Sequence, residues 1–260
     1  MIKFFRRIRK NLLAENKFRN YFLYAIGEIL LVIIGILIAI QINNENTKRI
    51  ERKVFESNLQ YVLEDLEKDK AALLEIKQRR EIVEDQIKLV LNAVKEHKTL
   101  TPIEILSNLS VFNWQYYHRN NSGFERILSS NLYESNEFSE AREKIKAYDE
   151  ISNGYSDTEK RLNEFLEEME IEMFKAGSNL EYLEYINLWQ SVDWKPDSET
   201  QVEIDNFKID FDGFITNNPA MLAALRRSLI IIPTMIVISD MTINSGEELK
   251  LEIEDYLKKK

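Results

Sequence analysis

The chain has 260 residues, 44% hydrophobic and 30% charged, with seven glycines, four prolines, two histidines and no cysteine. That length can bury a sizeable core without covalent staples. The missing cysteine excludes thiolate nucleophiles, Cys-ligated zinc and iron–sulfur clusters. Charge is split unevenly: seven basic residues against Glu15 put +6 on residues 1–20, leaving −15 of the net −9 for the remainder, a balance that repels nucleic-acid phosphates.

In residues 1–20, Arg6, Arg7, Arg9 and Lys10 interleave with Phe4, Phe5, Ile8 and Leu12 at helical spacing. Two readings fit: a short amphipathic helix on the inner leaflet, each basic residue gaining ~1 kcal/mol from anionic lipid, or a topology signal with no further role. Residues 21–42 follow as YFLYAIGEILLVIIGILIAIQI, with a single charge. At 1.5 Å per residue they cover roughly 33 Å, the thickness of a hydrocarbon core. A cleaved signal peptide fits poorly, because the apolar stretch is long and residues 41–44 (QINN) lack a small-x-small pattern. The segment is expected to be an uncleaved anchor, and the positive-inside rule then puts the N-terminus in the cytoplasm and residues 43–260 across the membrane.

Within this segment Gly27, Leu31, Gly35 and Ala39 recur every four residues, a small-residue face suited to close helix packing and self-association. Glu28 is the lone charge. A carboxylate at mid-membrane costs about 2.5–3.5 kcal/mol on insertion scales, so the side chain is expected to be protonated or paired. It is either an ion, proton or subunit-coupling site, or a neutral carboxyl hydrogen-bonded across an oligomer interface.

No glycine or proline interrupts residues 36–101. Alternating steps of four and three from Phe55 give Leu59, Val62, Leu66, Asp69, Leu73, Ile76, Arg80, Val83, Ile87, Val90 and Val94. This is the a/d seam of a coiled coil or bundle, with Asp69 and Arg80 as polar interruptions. The membrane helix is expected to continue into this stalk, which should end at Thr101-Pro102 before a short helix over 103–109. Residues 111–123 (VFNWQYYHRNNSG) form an aromatic connector. Its Phe112, Trp114 and Tyr117 either plug the bundle end or dock a partner, and His118 is a surface or capping residue.

Phe138, Ala141, Ile145 and Tyr148 make a stripe predicted to stop near Ser152-Asn153-Gly154. Tyr155, Leu162, Phe165, Leu166, Met169 and Met173 make the next, ending near Gly177 with Glu164, Glu167 and Glu168 on a solvated face. A further helix is expected over 180–189. Val202, Ile204, Phe207, Ile209 and Phe211 alternate with polar residues as a short hairpin or strap would. Asp210 and Asp212 hint at a calcium loop, but Lys208 and Pro219 stand where an EF-hand needs its first and twelfth ligands. Asn218-Pro219 supplies an N-cap and first turn for a last helix with Leu222, Leu225, Leu229, Ile232, Ile236 and Ile243 inward and a kink at Pro233. Its apolar run over 229–238 is too short for a second span. Ser245-x-x-Glu248 resembles a capping box, so a turn at Gly246 is expected before a final helix.

The stretches MIKFFRRIR at 1–9, YAIGEI at 24–29, IGILIA at 34–39 and QINN at 41–44 resemble an uncharacterised family of single-pass proteins from Gram-negative bacteria, with a weaker echo in FERILSS at 124–130. Glu28, Gly35 and Gln41 sit on positions of that family's membrane motif. The resemblance covers about 50 residues and implies an inner-membrane anchor with a periplasmic helical domain, without supplying an activity. The apolar run at 229–238 departs from it.

The expected architecture is therefore all-α. It comprises a basic cytoplasmic or interfacial segment (1–20), a transmembrane helix (21–42) running into a stalk, and a periplasmic helical bundle (43–260). The residues picked out are Glu28 for coupling, Gly27, Gly35 and Ala39 for helix packing, and Arg6, Arg7, Arg9 and Lys10 for lipid and topology. No nucleophile, base and orienter stand at a recognisable spacing, and no metal or cofactor motif emerges. The expected partners are the bilayer, further copies of the chain, and other membrane or periplasmic proteins, in an assembly, scaffold or sensor-like role; the alternative is an ion- or proton-linked subunit working through Glu28.

Overall fold

The structure is a computed structural model and describes residues 18–98, 109–112, 116–175, 197–206, 215 and 217–259. It is all-α, with no strand among the described residues. Five α-helices are described: α1 (Phe18–Glu96), α2 (Ser122–Leu128), α3 (Ser139–Lys175), α4 (Ser198–Asn206) and α5 (Pro219–Lys258). Short 3-10 turns stand at Leu109–Phe112 and Asn136–Phe138. The chain divides into two compact units, Met1–Ser57 and Asn58–Lys260, the division falling within α1.

In the first unit, α1 carries apolar side chains that nothing covers. Phe22, Leu23, Ile29 to Ile34, Ile36 to Ile38, Ile40 and Ile42 are all exposed. In the second unit the predicted seam of α1 turns inward: Leu59, Val62, Leu66, Asp69, Leu73, Arg80, Ile87 and Val90 are buried, and Ile76, Val83 and Val94 are half-buried.

Three helices build this unit, and their directions follow from the pairs that join them. Advancing along α1 from Glu67 to Lys70 to Lys77, the partner retreats along α5 from Lys250 to Glu247 to Asp240, so α1 and α5 are antiparallel. Asp69 meets Tyr148 and Arg80 meets Glu159, so α1 and α3 advance together and are parallel. Two parallel helices need a long return connection, and residues 97–138 supply it.

Several boundaries differ from the sequence expectation. The first helix ends at Glu96, not at Thr101-Pro102, because His97 adopts the left-handed conformation (φ 53°). The His97 and Lys98 amides then donate to the Val94 and Ala93 carbonyls, the paired bonds of a Schellman cap. Helix α3 runs unbroken through Ser152-Asn153-Gly154. Its buried face (Tyr148, Ser152, Tyr155, Glu159, Leu162, Leu166) keeps a 4/3 rhythm across the glycine, so packing overrides a propensity penalty of ~1 kcal/mol. Val202 lies on helix α4, so the strap alternation does not hold there.

Helix α5 begins as its sequence suggests, with Asn218 accepting from the Met221 amide at 3.1 Å and Pro219 in the first turn. It then runs through both Pro233 and Gly246. Gly246 is a packing position and not a turn: a Cβ there would stand 3.2 Å from the Tyr148 ring and 3.6 Å from Leu66. The buried stripe of α5 is Leu225, Ser228, Ile232, Met235, Ser239, Thr242, Gly246, Leu249, Ile253 and Tyr256. The large aliphatics chosen from the sequence, Leu222, Leu229, Ile236 and Ile243, flank this seam half-buried, because small residues at its centre let the helices approach closely.

Residues 103–108 of the expected helix over 103–109, the expected helix over 180–189, the aromatic Trp114, Phe207 to Phe211, and the amphipathic segment with Arg6, Arg7, Arg9 and Lys10 lie outside the described residues.

Candidate functional site

Two places break the rule that apolar residues go in and charged ones stay out. One is the apolar helix of the first unit. Among the described residues two helices are long and apolar enough to cross a membrane, α1 and α5. They differ in burial: none of the apolar window in α1 is buried, against 33% of that in α5. Helix α5 uses its small-residue face inside the bundle and is held there by Lys70–Glu247 and Lys77–Asp240 at 2.7 and 2.6 Å. On α1, a Cβ added at Gly27 or Gly35 would meet no atom within 4 Å, and Leu31 is 72% exposed. Ala39 is exposed too, so the small-residue face is open along its length. Glu28 is half-buried on the same helix.

The other place is a buried polar network in the second unit, and here the polar interruptions of the α1 seam find their purpose. Asp65, Asp69 and Arg80 on α1 and Glu159 on α3 are each 6% exposed or less. Arg80 Nη2 donates to Glu159 Oε1 at 2.6 Å, and its Nε donates to the Tyr155 hydroxyl at 3.3 Å. Asp69 Oδ2 accepts from the Tyr148 hydroxyl at 2.7 Å, and Tyr148 and Tyr117 hydroxyls lie 3.4 Å apart. Burial of this kind is strongly unfavourable for unpartnered groups, and here the partners come largely from the connector.

The connector over 116–121 has no regular secondary structure, and Ser122 and Gly123 open the first turn of α2, so the amides of this stretch need acceptors from elsewhere. The carboxylates provide them every third residue. Tyr117 N donates to Glu159 at 2.6 Å, Asn120 N to Asp69 at 2.8 Å, and Gly123 N to Asp65 at 2.6 Å. Asn120 Nδ2 adds a second bond to Asp69, and Ser122 Oγ one to Asp65 at 3.1 Å. Asp65 thereby places its charge at the start of α2, where Asn121 makes no side-chain cap of its own. Gly123 is where the connector presses on α1: a Cβ would fall 2.3 Å from Val62 N and 2.5 Å from Tyr61 C, a space no side chain can share. Arg119 covers the stacked Phe124–Tyr148 pair, its guanidinium 4.3 and 5.0 Å from the two ring centres, and pairs with Asp149.

The electrostatics follow burial. Desolvation holds the Glu159 carboxyl above its usual range, with the Tyr117 amide and Arg80 pulling back against it. Desolvation also pushes the Tyr117 hydroxyl up to about 12, and those of Tyr148 and Tyr155 upward as well. These hydroxyls stay protonated and act as hydrogen-bonding groups at neutral pH. Chemically the network is suited to fixing a connector in place. Its charged members are buried, and no group of three or more His, Cys, Asp and Glu among the described residues could hold a metal ion.

The sequence reading found Asp69, Arg80, Phe112 and Tyr117 and missed Asp65 and Glu159. Glu159 could have been found from the 4/3 stripe Tyr148, Ser152, Tyr155, Glu159, Leu162, had it been carried through Gly154. Asp65 had no such signal, since it adjoins the seam position Leu66. His118 is exposed, stacked on Tyr116 with ring centres 6.2 Å apart. No family model, curated protein or solved structure matches the chain.

Proposed function

We propose that the protein is a membrane-anchored assembly component, in which α1 crosses a bacterial inner membrane near residues 21–42 and holds a rigid helical domain in the periplasm as a scaffold or sensor-like module. The observation that carries this reading is the bare apolar surface of residues 22–42, far larger than soluble proteins expose. Basic residues on the N-terminal side orient it with that end in the cytoplasm. The resemblance of residues 1–44 to single-pass inner-membrane proteins supports the same placement.

Self-association is part of the reading, and its support is the open face of Gly27, Leu31, Gly35 and Ala39. The seam of α1 from Leu59 onward contributes nothing to it, because α3 and α5 of the same chain occupy that seam. Extraction in mild detergent followed by subunit counting tests this part: an oligomer is expected, dispersed by Gly35→Leu, and a strictly monomeric chain in native membranes overturns it.

A second reading rests on Glu28, the one acidic side chain among the apolar residues of 21–42. In a homo-oligomer it forms a ring of carboxyls that binds protons or cations. Comparing Glu28→Gln with Glu28→Ala for assembly and for ion flux separates the two: if Gln preserves both, titration at this position is not used.

A further inference from the structure

The first unit carries a second group of basic side chains, on the opposite side of the apolar surface from Arg6 to Lys10. Lys48, Arg49, Arg52 and Lys53 follow Ile42 by six to eleven residues, all exposed. At 100° per residue they share one arc of about 140°, as two i,i+4 rows, Lys48/Arg52 and Arg49/Lys53. Three acidic residues stand nearby: Glu45 one turn before, Glu56 one turn after, and Glu51 outside the arc. Glu45 engages Lys48 only at 3.5 Å and in full exposure, and also accepts from Gln41 at 3.4 Å. Among the described residues Arg49 and Lys53 enter no ion pair.

We propose that Lys48, Arg49, Arg52 and Lys53 form a binding collar for anionic phospholipid headgroups in the leaflet that faces residue 43. The inference rests on the membrane reading above and adds a ligand to it. Lys48 and Arg49 lie ~9–11 Å along the helix axis beyond Ile42, and Arg52 and Lys53 ~15–17 Å. The headgroup layer is ~5–8 Å deep, and long basic side chains reach back toward it along their apolar stems. Lys48 and Arg49 therefore touch phosphate directly, Arg49 with a fork suited to two phosphate oxygens. Arg52 and Lys53 stand about a Debye length away and act through the field. Charge explains the choice of ligand. Residues 58–260 carry −15, so an anionic leaflet repels the domain, and residues 48–53, at +3, are the cationic patch that opposes this at the membrane surface.

The test uses the full chain with Thr47→Cys, its only cysteine, carrying a fluorophore in phosphatidylcholine vesicles. Part of the lipid bears a headgroup quencher, on phosphatidylglycerol in one sample and on phosphatidylcholine in the other. The N-terminal basic cluster is separated from this probe in sequence by the whole apolar stretch of 21–42, which in an anchored chain keeps the two on opposite sides of the bilayer. Quenching by phosphatidylglycerol should exceed that by phosphatidylcholine by ~3-fold or more at low salt. The ratio should fall to about one with all four basic residues changed to Gln, and in ~0.5 M salt. Equal quenching by both lipids in the wild-type collar, with the chain resistant to carbonate extraction, overturns the collar and leaves the anchor standing. A chain that carbonate strips from the vesicles overturns both.

Discussion

The two units treat water in opposite ways. Residues 22–42 turn apolar side chains outward and keep one carboxyl, Glu28, half-buried among them. The second unit turns Asp65, Asp69, Arg80 and Glu159 inward, and tyrosine hydroxyls bond two of them, Asp69 and Arg80. Each inversion has its own physical reason. The first calls for apolar surroundings, because an uncovered apolar helix in water bears the full cost of hydration. The second is stable because an irregular connector must cross a packed helix, and its amides would otherwise be buried without acceptors.

This contrast can be broken most severely at Gly123. Gly123→Ala forces a Cβ into the α1 backbone and should cost about 3–5 kcal/mol, lowering the midpoint of thermal unfolding by roughly 10 °C or more while leaving membrane extraction unchanged. Arg80→Met strands the buried Glu159 carboxylate and should cost about 3 kcal/mol in denaturant unfolding. Glu159→Gln keeps an acceptor for the Tyr117 amide and should cost less, and a reversed order would mean the ion pair does not hold the connector.

The pH dependence comes next. The Tyr117 hydroxyl titrates near 10 when unfolded and at about 12 when folded, so between these values the folded chain retains a proton that the unfolded chain has lost. Its contribution is intact below pH 10 and is lost as pH rises toward 12, by up to ~3 kcal/mol. Tyr148 and Tyr155 shift the same way. Urea midpoints from pH 9 to 11.5 should fall steadily, and Tyr117→Phe should flatten the slope. The smallest effect has the opposite sign. Gly154 lies mid-helix with open space around it, so Gly154→Ala should raise the unfolding midpoint by about 0.5–1 kcal/mol in equivalent stability.

The residues that were legible in the sequence are those whose role is periodic. The 3.5-residue seam of α1 is buried from Leu59 to Val90 much as its spacing suggests, and Asn218-Pro219 starts α5 as its chemistry requires. Punctuation was less readable. Gly154 and Gly246 both look like helix ends, yet one is carried through by the packed face around it and the other makes room for Tyr148. His97 does end a helix, in a left-handed conformation that residue type alone does not announce. The network was half visible: Asp69 and Arg80 stood out as polar residues in an apolar seam. Their partners are 51 to 79 positions distant in the chain, and only the parallel pairing of α1 with α3 brings Tyr148 and Glu159 to them. Of the residues chosen in the membrane segment, Gly27, Gly35 and Ala39 are exposed, as are most of their neighbours on α1.

The most direct test is protease added to intact spheroplasts, followed by sequencing of the membrane-bound remnant. The bulk of the chain beyond residue 43 should be digested, leaving a short fragment that contains Val32 and resists carbonate extraction. A fully protected chain, or mature protein that begins after Asn44, would contradict it.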